Sequence, residues 1–128
     1  MTLTPPAVLD ASRQVADWEE AKTVLMTAFT VSQDAARNDT PIVYIVHGDD
    51  LLGRRGAPSA MVATGLLSAA RTAALELAGR KIPVNVVAVG DGTESEVRDR
   101  WVLRLAEPDG PTGEVIRLDP GHIGKALP

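Results

Sequence analysis

The side chains with the means to do chemistry are few, and most gather in one stretch. His47 follows the apolar run Ile42-Val43-Tyr44-Ile45-Val46 and precedes Gly48-Asp49-Asp50, and Ser59 comes after a segment broken by Gly53, Gly56 and Pro58. An imidazole within reach of a hydroxyl, with a carboxylate behind it, makes a base and a nucleophile. On that logic His47 with Ser59, or with Asp49 or Asp50, would support hydrolysis, isomerisation or dehydration without a cofactor. Such a constellation is defined by geometry and not by order along the chain. The plainer reading is that His47 ends a strand, Ser59 caps a helix and the two aspartates form a solvated turn.

Two further groupings carry weaker chemistry. His47, Asp49, Asp50 and the distant His122 are of types that bind metals, but their spacing matches no ligand motif, so no metal is expected. Arg54-Arg55, between Gly53 and Gly56, has the donors to hold a phosphate, although charges in such a loop are normally just solvated. The chain has no cysteine, which removes thiol nucleophiles, disulfides, Cys-ligated zinc and iron–sulfur clusters together.

What must position these groups is a strand, helix, strand unit. Residues 42–46 and 84–89 are too continuously apolar to alternate between core and solvent, so both faces of each strand must be covered, as in a parallel sheet. Between them, residues 49–58 (DDLLGRRGAP) read as a loop at the carboxyl end of a strand, where ligands bind in open α/β sheets. Residues 59–79 read as an alanine-rich helix with Gly79 as its C-cap. Upstream, Asp17 with Glu20 three residues on forms a capping box that starts an amphipathic helix over residues 17–37, with Asn38 suited to the left-handed conformation at its end. Downstream, residues 94–106 read as a helix with Val97, Trp101, Val102 and Leu105 inward, stopped by Pro108-Asp109-Gly110-Pro111, and residues 113–118 as a short last strand. Residues 1–13, with Pro5-Pro6, read as coil. The expected organisation is a lead over residues 1–14 and one α/β domain over residues 15–128, built on a three-stranded sheet. Trp18 and Trp101 fall at helical spacing with core positions, which favours buried or interface anchors over ligand-stacking rings.

At 128 residues and 45% hydrophobic, the chain has apolar surface for one small core. Lys and Arg number 13 against 17 Asp and Glu, and aromatics make up 3%. A nucleic-acid surface needs a basic face with stacking rings, so no nucleic-acid partner is expected. No apolar segment reaches the length of a membrane span, and the first residues lack a charged lead and an apolar run. The expected setting is cytoplasmic, with no membrane partner.

The order helix, strand, loop, helix, strand, helix, strand resembles the C-terminal half of the short-chain dehydrogenase/reductase family. The local wording is similar too. Asp17-Trp18-Glu19 followed by VLMTAFTVSQDAA looks like the family's helix after its fourth strand, and residues 42–46 look like its fifth strand. ALELAGRKIPVNVVAVG (residues 74–90) is similar to the family's "ALELA…IRVNxVAPG", and TGEVIRLDPG (residues 112–121) to its "TGQxIxVDGG". The resemblance covers roughly residues 15–122 and implies a truncated Rossmann-like, three-layer domain with a small, mainly parallel sheet.

The departures carry as much as the match. The sequence contains no G-x-G-x-x-G or G-x-x-x-G-x-G turn to receive a pyrophosphate on a helix N-terminus, so no dinucleotide or other cofactor is expected. By the resemblance, the family's catalytic Asn, Ser, Tyr and Lys positions fall on Val24, His47, Ser59 and Ala63. The family's Tyr transfers a proton and its Lys lowers the Tyr pKa, and neither acid nor cation stands at those positions here. The proline before the last glycine of the second strand is Val89. The resemblance therefore implies a catalytically degenerate relative. It would act by self-association, as a dimer or higher oligomer, through the helices over residues 17–37 and 59–79, which in the family form a four-helix bundle. It could equally partner a complete family member, with oxidoreductase activity arising only in that complex. The edge of a three-stranded sheet, where the family has its nucleotide-binding strands, would need covering by the N-terminal lead or by another chain.

Overall fold

In the computed structural model, which describes residues 4–119, four strands form one sheet in sequence order: β1 (Ala7–Ala11), β2 (Ile42–His47), β3 (Val84–Val89) and β4 (Val115–Arg117). Every pairing is parallel, with Ala7 opposite Ile42, Ile42 opposite Val84, and Val86 opposite Val115. β2 and β3 are buried along their whole length, as continuous runs of β-branched residues in the centre of a parallel sheet should be. The expected α/β architecture with a small parallel sheet is present.

The pleat sends alternate residues to opposite faces. Leu9, Ile42, Tyr44, Val46, Val84 and Val86 face the larger core, which α1 (Trp18–Arg37) and α3 (Ala57–Leu77) cover. Val43, Ile45, Val87 and Val89 face a smaller core closed by Val102 and Leu105, near and just past the end of α4 (Ser95–Arg104). The three crossovers step across the sheet in the same direction. The last one travels over the opposite face from the first two, so its hand is opposite to theirs, a departure from the usual uniformly right-handed rule.

α1 starts as expected. Asp17 Oδ1 accepts from Glu20 N at 2.9 Å, and Glu20 Oε2 accepts in return from Ala16 N at 3.1 Å, one residue before the cap. Its fully buried residues are Ala21, Ala28 and Ala35, with Val24, Leu25 and Ala36 partly buried against the same core. It ends at Arg37 as expected, but Asp39 and not Asn38 takes the left-handed conformation, at φ 54°. α3 begins two residues before Ser59 and runs into a 3-10 turn (Ala78–Arg80). The left-handed residue after it is Lys81, at φ 56°, rather than Gly79. α4 is shorter than expected at both ends, and β4 is three residues long.

Three expectations need correction. Part of the lead is not coil: residues 7–11 form β1, and the sheet has four described strands, not three. The lead itself covers the outer edge of β2. Within β1 only Leu9 and Ala11 are buried, too few for a periodic signal, and it is the register with β2 that makes it a strand. The segment after β2 is not all loop, because Gly48–Leu51 form a one-turn helix, α2. Of the two roles expected for the tryptophans, burial within the chain fails for Trp18, which is 55% exposed, and that of an interface anchor remains; Trp101 is half-buried, with the Arg104 guanidinium 5.1 Å from its ring centroid. Among the described residues no helix is long and apolar enough to cross a membrane.

Candidate functional site

The carboxyl ends of β1, β2 and β3 bring together His47, Asp49, Asp50, Arg55, Ser59 and Asp91. His47 closes β2, on the pleat parity of Val43 and Ile45, and is 5% exposed. Its Nδ1 accepts from the Asp49 backbone N–H at 3.1 Å and thereby caps α2. A ring nitrogen that accepts carries no proton, so the neutral tautomer is protonated at Nε2. That Nε2–H donates to Asp91 Oδ1 at 3.0 Å. The Asp49 carboxylate stands 3.9 Å from Nδ1 and 3.4 Å from the Arg54 guanidinium. Both ring nitrogens are thus engaged.

Ser59 lies in the first turn of α3, on the other face of the sheet, and is 1% exposed. Its Oγ accepts from Val15 N at 2.8 Å and donates to Val15 O at 3.5 Å. It ties the chain between β1 and α1 to α3; the residue at the cap position of α3 is Gly56. No hydrogen bond joins Ser59 to His47. The pleat explains why: His47 projects toward the smaller core's side, and Ser59 belongs to a helix packed on the larger core.

Asp50 and Arg55 depart furthest from a solvated turn. Asp50 is 1% exposed and accepts from Arg55 through two parallel bonds, Nε to Oδ1 at 2.8 Å and Nη2 to Oδ2 at 2.7 Å. Arg55 Nη2 also donates to Ser12 O at 2.7 Å, and Gln14 Nε2 donates to Arg55 O at 3.3 Å. The hydrogen bond to Asp50 raises the Arg55 pKa above its ordinary value, against the lowering effect of burial. The expectation of an exposed, solvated arginine pair holds for Arg54 and fails for Arg55. The signal lay in the sequence as a carboxylate and a guanidinium five residues apart across Gly53, a turn short enough to fold one onto the other. A second missed pair is Ser32 with Tyr44, whose hydroxyls lie 2.5 Å apart. Its signal was the chain's single tyrosine, set in an otherwise aliphatic strand, where a buried phenol needs a partner.

Metal and dinucleotide binding each make specific demands on these residues. Among the described residues no three His, Asp or Glu side chains converge on a point that could hold a metal; His122 lies outside the described residues. A pyrophosphate needs free N–H groups at a helix N-terminus and room for close backbone approach. The N-terminus of α1 is filled by the Asp17 carboxylate and that of α2 by the His47 ring, and α4 opens on Glu94 and Glu96. α3 has no capping side chain, but the adjacent Arg55 is committed to Asp50. The turn after β3 is closed in its own way. A Cβ on Gly90 would come within 2.5 Å of the Asp119 carboxylate, so that side chain occupies the space that a glycine leaves there.

Several solved structures share this fold, two of them as follows. Acetoin dehydrogenase from Salmonella typhimurium superposes with a TM-score of 0.69 at 18% identity, over 89% of this chain and 62% of its own. A putative 3-oxoacyl-reductase from Bacillus thuringiensis gives 0.60 at 19% identity, over 84% and 57%. The chain has a short-chain-dehydrogenase-like fold. It spans less than two thirds of the length of either neighbour. No family model and no curated protein matches it.

Proposed function

We propose that this short-chain-dehydrogenase-like chain corresponds to the C-terminal half of that fold, has given up dehydrogenase chemistry and works through association, first with a second copy of itself. The observation that carries the reading is the state of the positions matching the family's Tyr and Lys. Ser59 has its hydroxyl bound to the Val15 backbone, and Ala63 is 1% exposed with no polar atom to offer. Neither a proton donor of suitable pKa nor a cation that could tune one stands there. The N-termini of α1, α2 and α4, filled or acidic, further favour a protein that does not hold a nicotinamide dinucleotide.

What favours association is apolar surface on the outer faces of the two helices. Trp18, Met26 and Phe29 share one face of α1, and Met61 and Leu75 one face of α3, all more than half exposed. Clustered exposed rings and thioethers of this kind mark interaction surfaces more often than isolated ones do.

Light scattering coupled to size exclusion tests the association: the wild-type chain should elute with the mass of two chains, and Phe29→Glu should elute as one. A concentration-independent monomer would remove the self-association reading. Fluorescence titration with NADH and NADPH tests the rest, with no saturation expected at micromolar ligand; a micromolar dissociation constant would overturn the loss of cofactor binding.

A further inference from the structure

Between α1 and α3, with β2 as its floor, lies a groove of about 400 Å³, within the usual range for small-molecule sites of about 300–1,000 Å³. Its walls are aliphatic and aromatic, with Leu25, Ala28 and Phe29 on one side and Leu66, Ala69 and Ala73 on the other. Two features of the groove are not explained by packing within the chain.

The first is the Ser32–Tyr44 pair. Tyr44 is 2% exposed, and its Oη lies 2.5 Å from Ser32 Oγ. Two hydroxyls carry two protons, and the bond between them uses one. Thr23, Thr27, Thr30, Thr64 and Thr72 on the same helices each return their hydroxyl to the carbonyl one turn back, whereas Ser32 makes no such bond among the described residues. One O–H in the groove therefore has no protein acceptor among the described residues. The second feature is Gly65. A Cβ there would meet only Leu25 Cδ2, at 3.9 Å, so the chain's own packing does not require glycine in a helix interior where alanine is better. Its missing side chain keeps the groove open.

We propose that the groove binds a small, uncharged, largely apolar molecule carrying one hydrogen-bond acceptor, such as a medium-chain ketone or ester, whose oxygen takes the free hydroxyl proton of the Ser32–Tyr44 pair. Glu76 also lines the groove and, among the described residues, no lysine or arginine does, which disfavours an anion. An apolar side chain from a second copy would leave that hydroxyl unpaired in a drier environment; a molecule with an acceptor satisfies it. The proposal stands on the fold and does not require the association reading.

Isothermal titration of the full chain with 2-nonanone, and in parallel with nonanoate, tests it. The ketone should bind saturably and more tightly than the carboxylate. The double variant Ser32→Ala/Tyr44→Phe replaces the hydroxyl pair by apolar groups of similar shape, and its thermal midpoint and circular dichroism show whether it folds as the wild type does. It should bind the ketone about tenfold more weakly, the worth of one hydrogen bond. Ala69→Leu, which fills the groove from an exposed position, should abolish binding. Absence of saturable binding by the wild type, ketone binding unchanged in the folded double variant, or full binding by Ala69→Leu would each overturn the proposal. Light scattering on the same samples separates the two readings. A stable dimer that refuses the ketone means that the second copy fills the groove, which sinks this inference and leaves association standing; a monomer that binds the ketone does the reverse.

Discussion

Asp50 is a carboxylate almost wholly withdrawn from water, and its two oxygens are matched by a planar fork of donors from Arg55. Breaking such a buried pair by removing one partner is costly because the remaining charge has no compensation. Arg55→Met should lower the unfolding free energy by about 3 kcal/mol, measured by urea denaturation, whereas Asp50→Asn, which leaves a neutral group facing the guanidinium, should cost less. Arg55→Lys should not restore stability, since an ammonium cannot reproduce the two parallel bonds. Because the Arg55 pKa is raised, its share of that stability is fully present below the ordinary arginine value and is lost only as pH rises through the raised one; pH changes near neutrality should not disturb it from the arginine side. The sequence pointed to the right residues here but not to their partners. Ser59 bonds Val15, and His47 bonds Asp91; both links join residues far apart in the chain, and which loop passes over which strand end is decided by topology, not by local spacing.

The helices were the elements most legible in the sequence, and the reasons are visible in α1. The Asp17–Glu20 pair and the run Ala21, Ala28, Ala35 mark the start and the buried stripe of the helix, and each is a local signal. β1 was not legible, because a five-residue strand with two buried side chains owes its conformation to Ile42–Val46 alongside it. The same distinction between local preference and context applies to Gly65 in α3. On local grounds Gly65→Ala should raise stability by about 0.5–1 kcal/mol, since the added methyl meets nothing closer than 3.9 Å. A shift of the thermal midpoint upward would check this. A loss of stability would mean that the groove wall is more tightly constrained than its open side suggests.

For the molecule as a whole, the fold class followed from two buried apolar strands flanking a helix, while the distribution of the core did not. The larger core, under α1 and α3, holds most of the buried side chains, and the opposite face is closed by one helix of ten residues. That face is pinned by polar contacts as well. Asn85, fully buried, donates to Pro111 O at 2.8 Å and accepts from Glu114 N at 3.1 Å, and Thr93 accepts from Gly90 N at 3.0 Å while donating to Leu118 O at 3.2 Å. Such links hold β4 where few apolar contacts do.

The all-parallel order of the sheet has a consequence in time. Every described strand is separated from its neighbour in the sheet by at least one helix, so among the described residues no hairpin exists to nucleate pairing, and each ladder must wait for a long loop to close. The last closure must also take the hand that chains seldom take, over the thinner face. Stopped-flow refolding from urea should therefore run in milliseconds to seconds, like other chains dominated by distant contacts. Amides of β4 and α4 should gain hydrogen-exchange protection after those of β2 and β3. Protection arriving in all four strands within one dead time would show instead that the chain collapses around its sheet in a single step.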